Sequence, residues 1–341
     1  MKPISGNALV IKEINMNLVR QMLKAKGTAT KQEIALATGL SVVTVNTVLQ
    51  SLVKQGEVMK SGLSSSSGGR PAMLFAYHSD YALALILYPL ERDGCIQIHG
   101  TVVNLSGDPV YETDVDVDQL DVAQLESIID RLLAAYPSIQ AIGLGLPGAE
   151  YEGKMIVSDY QSLLGVSLAE HLRVRYNRPI IIENDVNAAV IGFSNRMRVT
   201  PEQTVVYFYF PQRYPPGAGI FMNGRLYKGK GNFAGEVANI PLGIPWGDWT
   251  LANTFDTWCS AIAKLTVAVS SVLNPDLVVL CGHRIEQVHV KAVIEQCSTQ
   301  LPQSAVPHMF LSEDFAADYL SGMIVQTLDT LESGLVLQQK R

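Results

Sequence analysis

Apolar residues change their spacing along this chain, and the change divides it. Between Ile14 and Leu23 they recur at helical intervals (Ile14, Leu18, Met22; Val19, Leu23), and Gly27 ends that helix. Thr30 stands three residues before Glu33, a capping box that opens a short helix through Ile34, Ala35 and Ala37. Gly39 supplies a left-handed turn, Leu40 returns to the core and Ser41 caps a third helix. In that helix Val45, Val48, Leu49, Leu52 and Val53 make one apolar stripe. GEVMKSG and AMLFAYH then read as strands on either side of a Ser/Gly-rich tip, LSSSSGGRP. From Tyr81 the pattern becomes α/β. Strands are expected at 82–89, 95–103 and 109–117, a helix near 120–135, the strand AIGLGLPG, a helix near 167–176 and the strand PIIIEND. A second set follows with QTVVYFYF, GAGIFMNGRLY, a helix near 251–273, PDLVVLCG, a further helix, HMFLS and a final helix near 315–333. The expected organisation is a head at 1–80 and two lobes at 81–198 and 199–341, each lobe a sheet with helices facing a cleft.

The head carries the first chemical signal. Two helices joined by a tight Gly turn, the second showing Val43, Thr44, Asn46, Thr47 and Gln50 opposite its apolar stripe, read as a helix-turn-helix. The two following strands make it a winged version. Ser41 and these five residues are the expected DNA-facing set, with Lys54, Lys60 and Arg70 for phosphates or a minor groove. A small helical cap whose charges are only solvated is the plainer alternative. Charge favours the first reading. The net charge of −6 argues against nucleic acid, yet residues 1–80 hold nine Lys/Arg against four Asp/Glu, and the remainder holds 17 against 28.

Composition narrows the class further. The 341 residues are 48% hydrophobic and 17% charged, enough for two or three packed domains. Cys95, Cys259, Cys281 and Cys297 are scattered, with no pair or Cys/His cluster at metal spacing, so neither a disulfide frame nor a zinc site is expected. No apolar run is long enough to span a bilayer or serve as a signal peptide. The expectation is a cytoplasmic protein without membrane insertion.

The order of motifs resembles the ROK family, which comprises sugar-responsive repressors, uncharacterised reading frames and sugar kinases. ATGLSVVTVNTVLQSLVKQGEV followed by SSGGRPAMLF is similar to the winged helix of the repressor branch. GLGLPG, ENDVNAAVIG, GRLYKGKGNFAGEV and LNPDLVVLCG follow in the family's order. The resemblance implies a winged helix-turn-helix on a two-lobed, actin-like (ribonuclease-H-like) body. It also implies an operator DNA and a sugar effector as partners, and a homodimer or higher homo-oligomer.

In the family, Asp185 matches the catalytic base of the kinases and Asn184 its sugar-binding neighbour. Phosphate transfer is nevertheless not expected here. ILYPLERDGCIQI stands where the kinases carry an Asp-x-Gly-x-Thr-like turn; Pro89 has no N–H to donate, and Glu91 and Asp93 repel phosphate. In RYPPGAGIF, Pro215 and Pro216 remove two further donors, and Gly217 and Gly219 read as a tight turn between strands. Asn239 occupies the position of the family's zinc-binding His, and the Cys-rich run is missing, so no metal and no cofactor are expected. Packing of Trp246 and Trp249 is expected to shape that segment instead. The expected sugar-side residues are Gly148, Asn184, Asp185, Glu236 and Asn239, carboxylates and amides suited to vicinal hydroxyls. A competing explanation is that Asn184 and Asp185 only cap a helix starting at Val186. The alternative functions are an active ATP-dependent sugar kinase with a DNA-binding head, in which Asp185 is the catalytic base, and a dimerisation scaffold without a ligand.

Overall fold

A computed structural model describes residues 4–64, 71–92, 95–151, 153–158, 160–248 and 250–332. Arg70, Asp93 and Trp249, singled out above, lie outside the described residues.

The head begins with helix α1 (Ile4–Lys26), followed by strand β1 (Thr28–Thr30), helices α2 (Lys31–Thr38) and α3 (Val42–Gln55), and strands β2 (Val58–Leu63) and β3 (Met73–Tyr77). The capping box forms as its spacing predicts: Thr30 Oγ1 accepts the Glu33 N–H while Glu33 accepts the Thr30 N–H. Gly39 takes φ 71°, which a Cβ disfavours, and there the chain turns so that α2 and α3 meet at 112°. Ser41 accepts the Thr44 N–H and starts α3. Val19, Leu23, Ile34, Val45, Leu49, Leu52 and Phe75 bury one core under the three helices. Strand β1 has only three residues, too few for a period to show, and exists because β3 pairs with it, Ala29 opposite Phe75.

The first body sheet has the order β10-β7-β4-β5-β6. Its strands are β4 (Leu83–Arg92), β5 (Cys95–Asn104), β6 (Pro109–Val117), β7 (Ile139–Gly145) and, beyond the hairpin β8 (Gly148–Tyr151) and β9 (Lys154–Ser158), β10 (Ile180–Glu183). Helices α4 (Val122–Ala135) and α5 (Leu168–Tyr176) cover one face. Helix α6 (Asp185–Arg196) leads into the second sheet, ordered β13-β12-β11-β14-β15. That sheet comprises β11 (Val205–Phe210), β12 (Gly217–Met222), β13 (Arg225–Leu226), β14 (Leu277–Gly282) and β15 (His308–Ser312), with helices α7 (Phe255–Leu273) and α8 (Gln287–Ser298) on one side. Helix α9 (Phe315–Glu332) closes the described chain.

The cores cut across chain order. Helix α9, expected with the second set, packs on the first sheet through Tyr319, Met323 and Leu328 against Ala84, Ile86 and Tyr88. Helix α6, expected with the first, packs Val190 and Phe193 on Val205, Tyr207 and Val279 of the second. The two helices cross between the sheets at nearly backbone contact. A Cβ on Gly192 would stand 1.9 Å from the Asp318 carbonyl oxygen, and one on Gly322 1.8 Å from that of Ala188. Buried Asp318 fastens the crossing, accepting hydrogen bonds from Arg196 (2.6 Å), Tyr207 (3.1 Å) and Ser312. Among the described residues no single helix is long and apolar enough to cross a membrane.

Candidate functional site

Two surfaces collect the residues singled out by the sequence. On the head, Val43, Thr47, Gln50 and Lys54 stand at i, i+4, i+7 and i+11 and form one stripe along α3, all four exposed. Val43 is 77% exposed, an uncovered apolar group at the N-terminal end of the helix. Thr44 and Asn46 flank it, half-buried. Asn46 Oδ1 accepts a hydrogen bond from Lys31 Nζ at 2.6 Å, which fixes the amide's orientation from the neighbouring helix. Lys60 is exposed on β2. The head's cations are less available than their number suggests. Arg20 is bound by Glu57 (2.5 Å) and Glu13 (2.8 Å), and Lys26 by Glu33 (2.7 Å).

In the body, Gly148, Asn184 and Glu236 come together in a cleft between the β10–α6 junction and the loop following β13. Asn184 is the N-cap of α6: its Oδ1 accepts the N–H groups of Val186 (2.9 Å) and Asn187 (3.2 Å), and its Nδ2 donates to the Gly148 carbonyl (3.2 Å). The helix therefore starts one residue earlier than expected, and Asp185 is its first residue rather than its cap. The amide takes the cap because one group can satisfy two backbone donors and a carbonyl together. Asp185 accepts the Val186 N–H at 2.9 Å and is not among the residues lining the cleft. Burial, and after it the charge of Asp185, pushes the phenols of Tyr209 and Tyr319 well up. Asn239 also lies outside the lining; its Nδ2 donates to the Glu236 carbonyl at 3.4 Å. Burial raises the Glu236 carboxyl above its ordinary pKa.

Glu183, Lys228, Asn187 and Asn232 of the cleft had no assigned role in the sequence reading. Glu183, only 4% exposed, receives Lys228 Nζ on Oε2 (2.7 Å), and on Oε1 the Asn184 N–H (3.0 Å) and the Asn187 amide (3.2 Å). The pair joins the first sheet to the second across the cleft floor. No local pattern links residues 183 and 228; a carboxylate ending a buried strand was the one available signal, since such a charge requires a partner. Asn232 and Asn187 complete the polar wall, so acceptors and amide donors face the same space.

The two segments read above against the kinases' phosphate loops lie in paired strands. Strands β4 and β5 pair without a break through Pro89–Ile98 to Arg92–Cys95. Gly217 and Gly219 lie within β12, paired with Tyr209 and Tyr207, and not in the turn expected of them. A Cβ on Gly219 would meet the Val186 carbonyl at 2.5 Å, so the residue is small because α6 packs on the strand. Trp246 packs against Phe210 and Trp258, giving the Asn239 segment an aromatic support. Cys259, Cys281 and Cys297 are buried thiols, each pushed up by desolvation. Among the described residues no cluster of His, Cys, Asp and Glu is placed to hold a metal.

Residues 93–248 match the ROK family. That stretch of the chain is similar to the family. The chain is 26% identical over 252 residues to the xylose repressor of Caldicellulosiruptor bescii, a match covering 70% of this chain and 61% of the repressor. The chain thus spans about three-fifths of the length of that relative. Its fold is that of a ROK family transcriptional regulator, a homolog of the Escherichia coli MLC protein, with TM-score 0.68, 17% identity, and coverage of 94% of this chain and 97% of the other. The ROK hexokinase of Thermus thermophilus is similar over 73% of this chain and 99% of its own, with TM-score 0.60 and 17% identity. The architecture is thus shared by a regulator and a kinase, and the choice between them rests on the sites.

Proposed function

We propose that this chain is a DNA-binding regulator of sugar metabolism, acting as a repressor. Residues 1–80 form a winged helix-turn-helix that reads an operator, and the lobes at 81–198 and 199–341 form an actin-like body that binds a sugar. The observation that carries the reading is the stripe Val43, Thr47, Gln50 and Lys54. It is an uncovered helix face, apolar and short-polar at one end and cationic at the other, held at 112° to its supporting helix. Such a face fits a major groove: valine and threonine methyls suit thymine, Asn46 and Gln50 suit adenine, and Lys54 suits phosphate. The repressor name of the matched relative supports the same reading.

In the body, Glu236, Asn187 and Asn232 hold the sugar, with Gly148 positioned by Asn184. Asp185, engaged at the start of α6, does not act as a base. The body transfers no phosphate, a reading supported by Gly217 and Gly219 lying in a paired strand and by β4 and β5 staying paired from Pro89–Ile98 to Arg92–Cys95. A homodimer sets two recognition helices one or two DNA turns apart. Sugar then changes operator affinity by favouring one arrangement of the heads.

Selection of duplexes from a random-sequence pool by the full chain tests this function. The expected product is a two-fold symmetric site whose affinity falls with salt. Thr47→Ala/Gln50→Ala, at two exposed positions, weakens that site by about tenfold or more while leaving the fold intact. A pool that yields no consensus, or a variant that binds the consensus as well as the parent, refutes the proposal.

A further inference from the structure

The Glu183–Lys228 pair also lines a second cavity, of about 600 Å³, whose lining does not include Glu236 and whose size is within the ~300–1,000 Å³ typical of small-molecule sites. Its walls come from α6, α9 and the β12–β13 hairpin, and its floor is apolar, with Ile181, Ile191 and Phe221 among its residues. Nothing in the sugar-binding or DNA-binding reading uses it.

Two features set it apart from a packing defect. Ser194 on α6 is 3% exposed, and its Oγ has no hydrogen-bond partner among the described residues; nor has Nε2 of Gln326, facing the same cavity from α9. Buried polar atoms are ordinarily satisfied, so a hydroxyl and an amide left open on one cavity mark a place where a ligand's polar group completes them. The second feature is charge. Arg198 and Arg225 stand exposed on the cavity's walls and form no ion pair among the described residues. Of the two carboxylates on the same walls, Glu183 is held by Lys228 and Asp329 is engaged as well. The cavity therefore offers apolar lining residues, two open hydrogen-bonding atoms and two guanidinium groups that form no ion pair among the described residues.

We propose that this cavity is a second small-molecule site that takes an organic anion with an apolar body, its charged group between Arg198 and Arg225 and a polar atom on Ser194. A guanidinium fork suits carboxylate or phosphate alike, and both are anions of this class. Because Lys228 and Glu183 also line the sugar cleft, occupancy here bears on the pair that joins the two sheets, and any coupling is reciprocal.

Calorimetric titration of the full chain with hexanoate and hexyl phosphate tests the site, with hexanol and inorganic phosphate as controls. Saturable binding of at least one of the two amphipathic anions is expected, with neither control binding comparably, since charge and apolar body are both required. Arg198→Ala/Arg225→Ala, at exposed positions that do not threaten folding, reduces affinity about tenfold or more. Ser194→Leu, which fills the floor, abolishes binding. Glu236→Gln, in the neighbouring cleft, leaves it unchanged. The proposal is overturned if neither anion binds, if inorganic phosphate or hexanol binds as well, if the double arginine variant binds normally, or if Glu236→Gln weakens binding as much as the arginine changes. None of these results depends on whether the head binds DNA.

Discussion

Glu183 ends a buried strand, where one lysine and two N–H donors hold its carboxylate. Lys228→Met leaves that carboxylate desolvated without its cation. Removing one partner of a fully buried pair costs about 3–5 kcal/mol, and Lys228 is more than a third exposed, so a loss of about 1–3 kcal/mol is expected by urea unfolding. An unchanged midpoint would mean that water replaces the lysine without penalty. Glu236 has the opposite character. Burial raises its pKa, so the folded chain keeps this proton at pH values where the unfolded chain, at about 4.3, has released it. Its contribution to stability is therefore greatest below the unfolded value and falls as pH rises through the raised one. Glu236→Gln should remove that decline when unfolding free energy is followed against pH; parallel curves for parent and variant would contradict the assignment. Of the two, only Glu236 had been assigned a role in the sequence reading. The resemblance named Gly148, Asn184 and Glu236 together, and capping by Asn184 and Asp185 stood beside it as an alternative; that Lys228 reaches Glu183 was not legible, because it is decided by atoms distant in the chain.

At the scale of elements, capping chemistry was read most directly. Thr30, Gly39 and Ser41 bound α2 and α3 as their residue types require, since a cap depends on neighbours two or three positions away. Strand β1 and the β8–β9 hairpin escaped the reading because three to five residues display no period and tertiary pairing creates them. Gly217 and Gly219 were misread for a related reason: glycine next to prolines suggests a turn, whereas the structure needs it for the approach of α6. The same close approach governs α6 and α9. Gly322→Ala puts a methyl 1.8 Å from the Ala188 carbonyl oxygen, and the two helices must separate. A loss of about 1–3 kcal/mol or more in unfolding free energy is expected. A variant as stable as the parent would show that the crossing is looser than its geometry requires.

Across the whole molecule, the division into a head and two sets of α/β elements was legible because hydrophobic period, turn residues and charge all change near the same points. The exchange of α6 and α9 between the sheets was not, since an amphipathic helix records that it has a partner and not which sheet that partner belongs to. This exchange matters for function. The two helices cross between the sheets, and the N-terminal end of α6 carries the cleft residues Asn184 and Asn187, so the proposed sugar would bear on the helix that packs between the two sheets. The most direct test measures the affinity of the full chain for its selected duplex with and without each member of a sugar panel, beside the same titration with Asn187→Ala. One sugar class should shift the affinity of the parent, and the variant should bind the duplex normally while losing that shift. A duplex affinity indifferent to every sugar that binds the body would contradict the coupling of cleft to head, and with it the account of this chain as a ligand-controlled regulator.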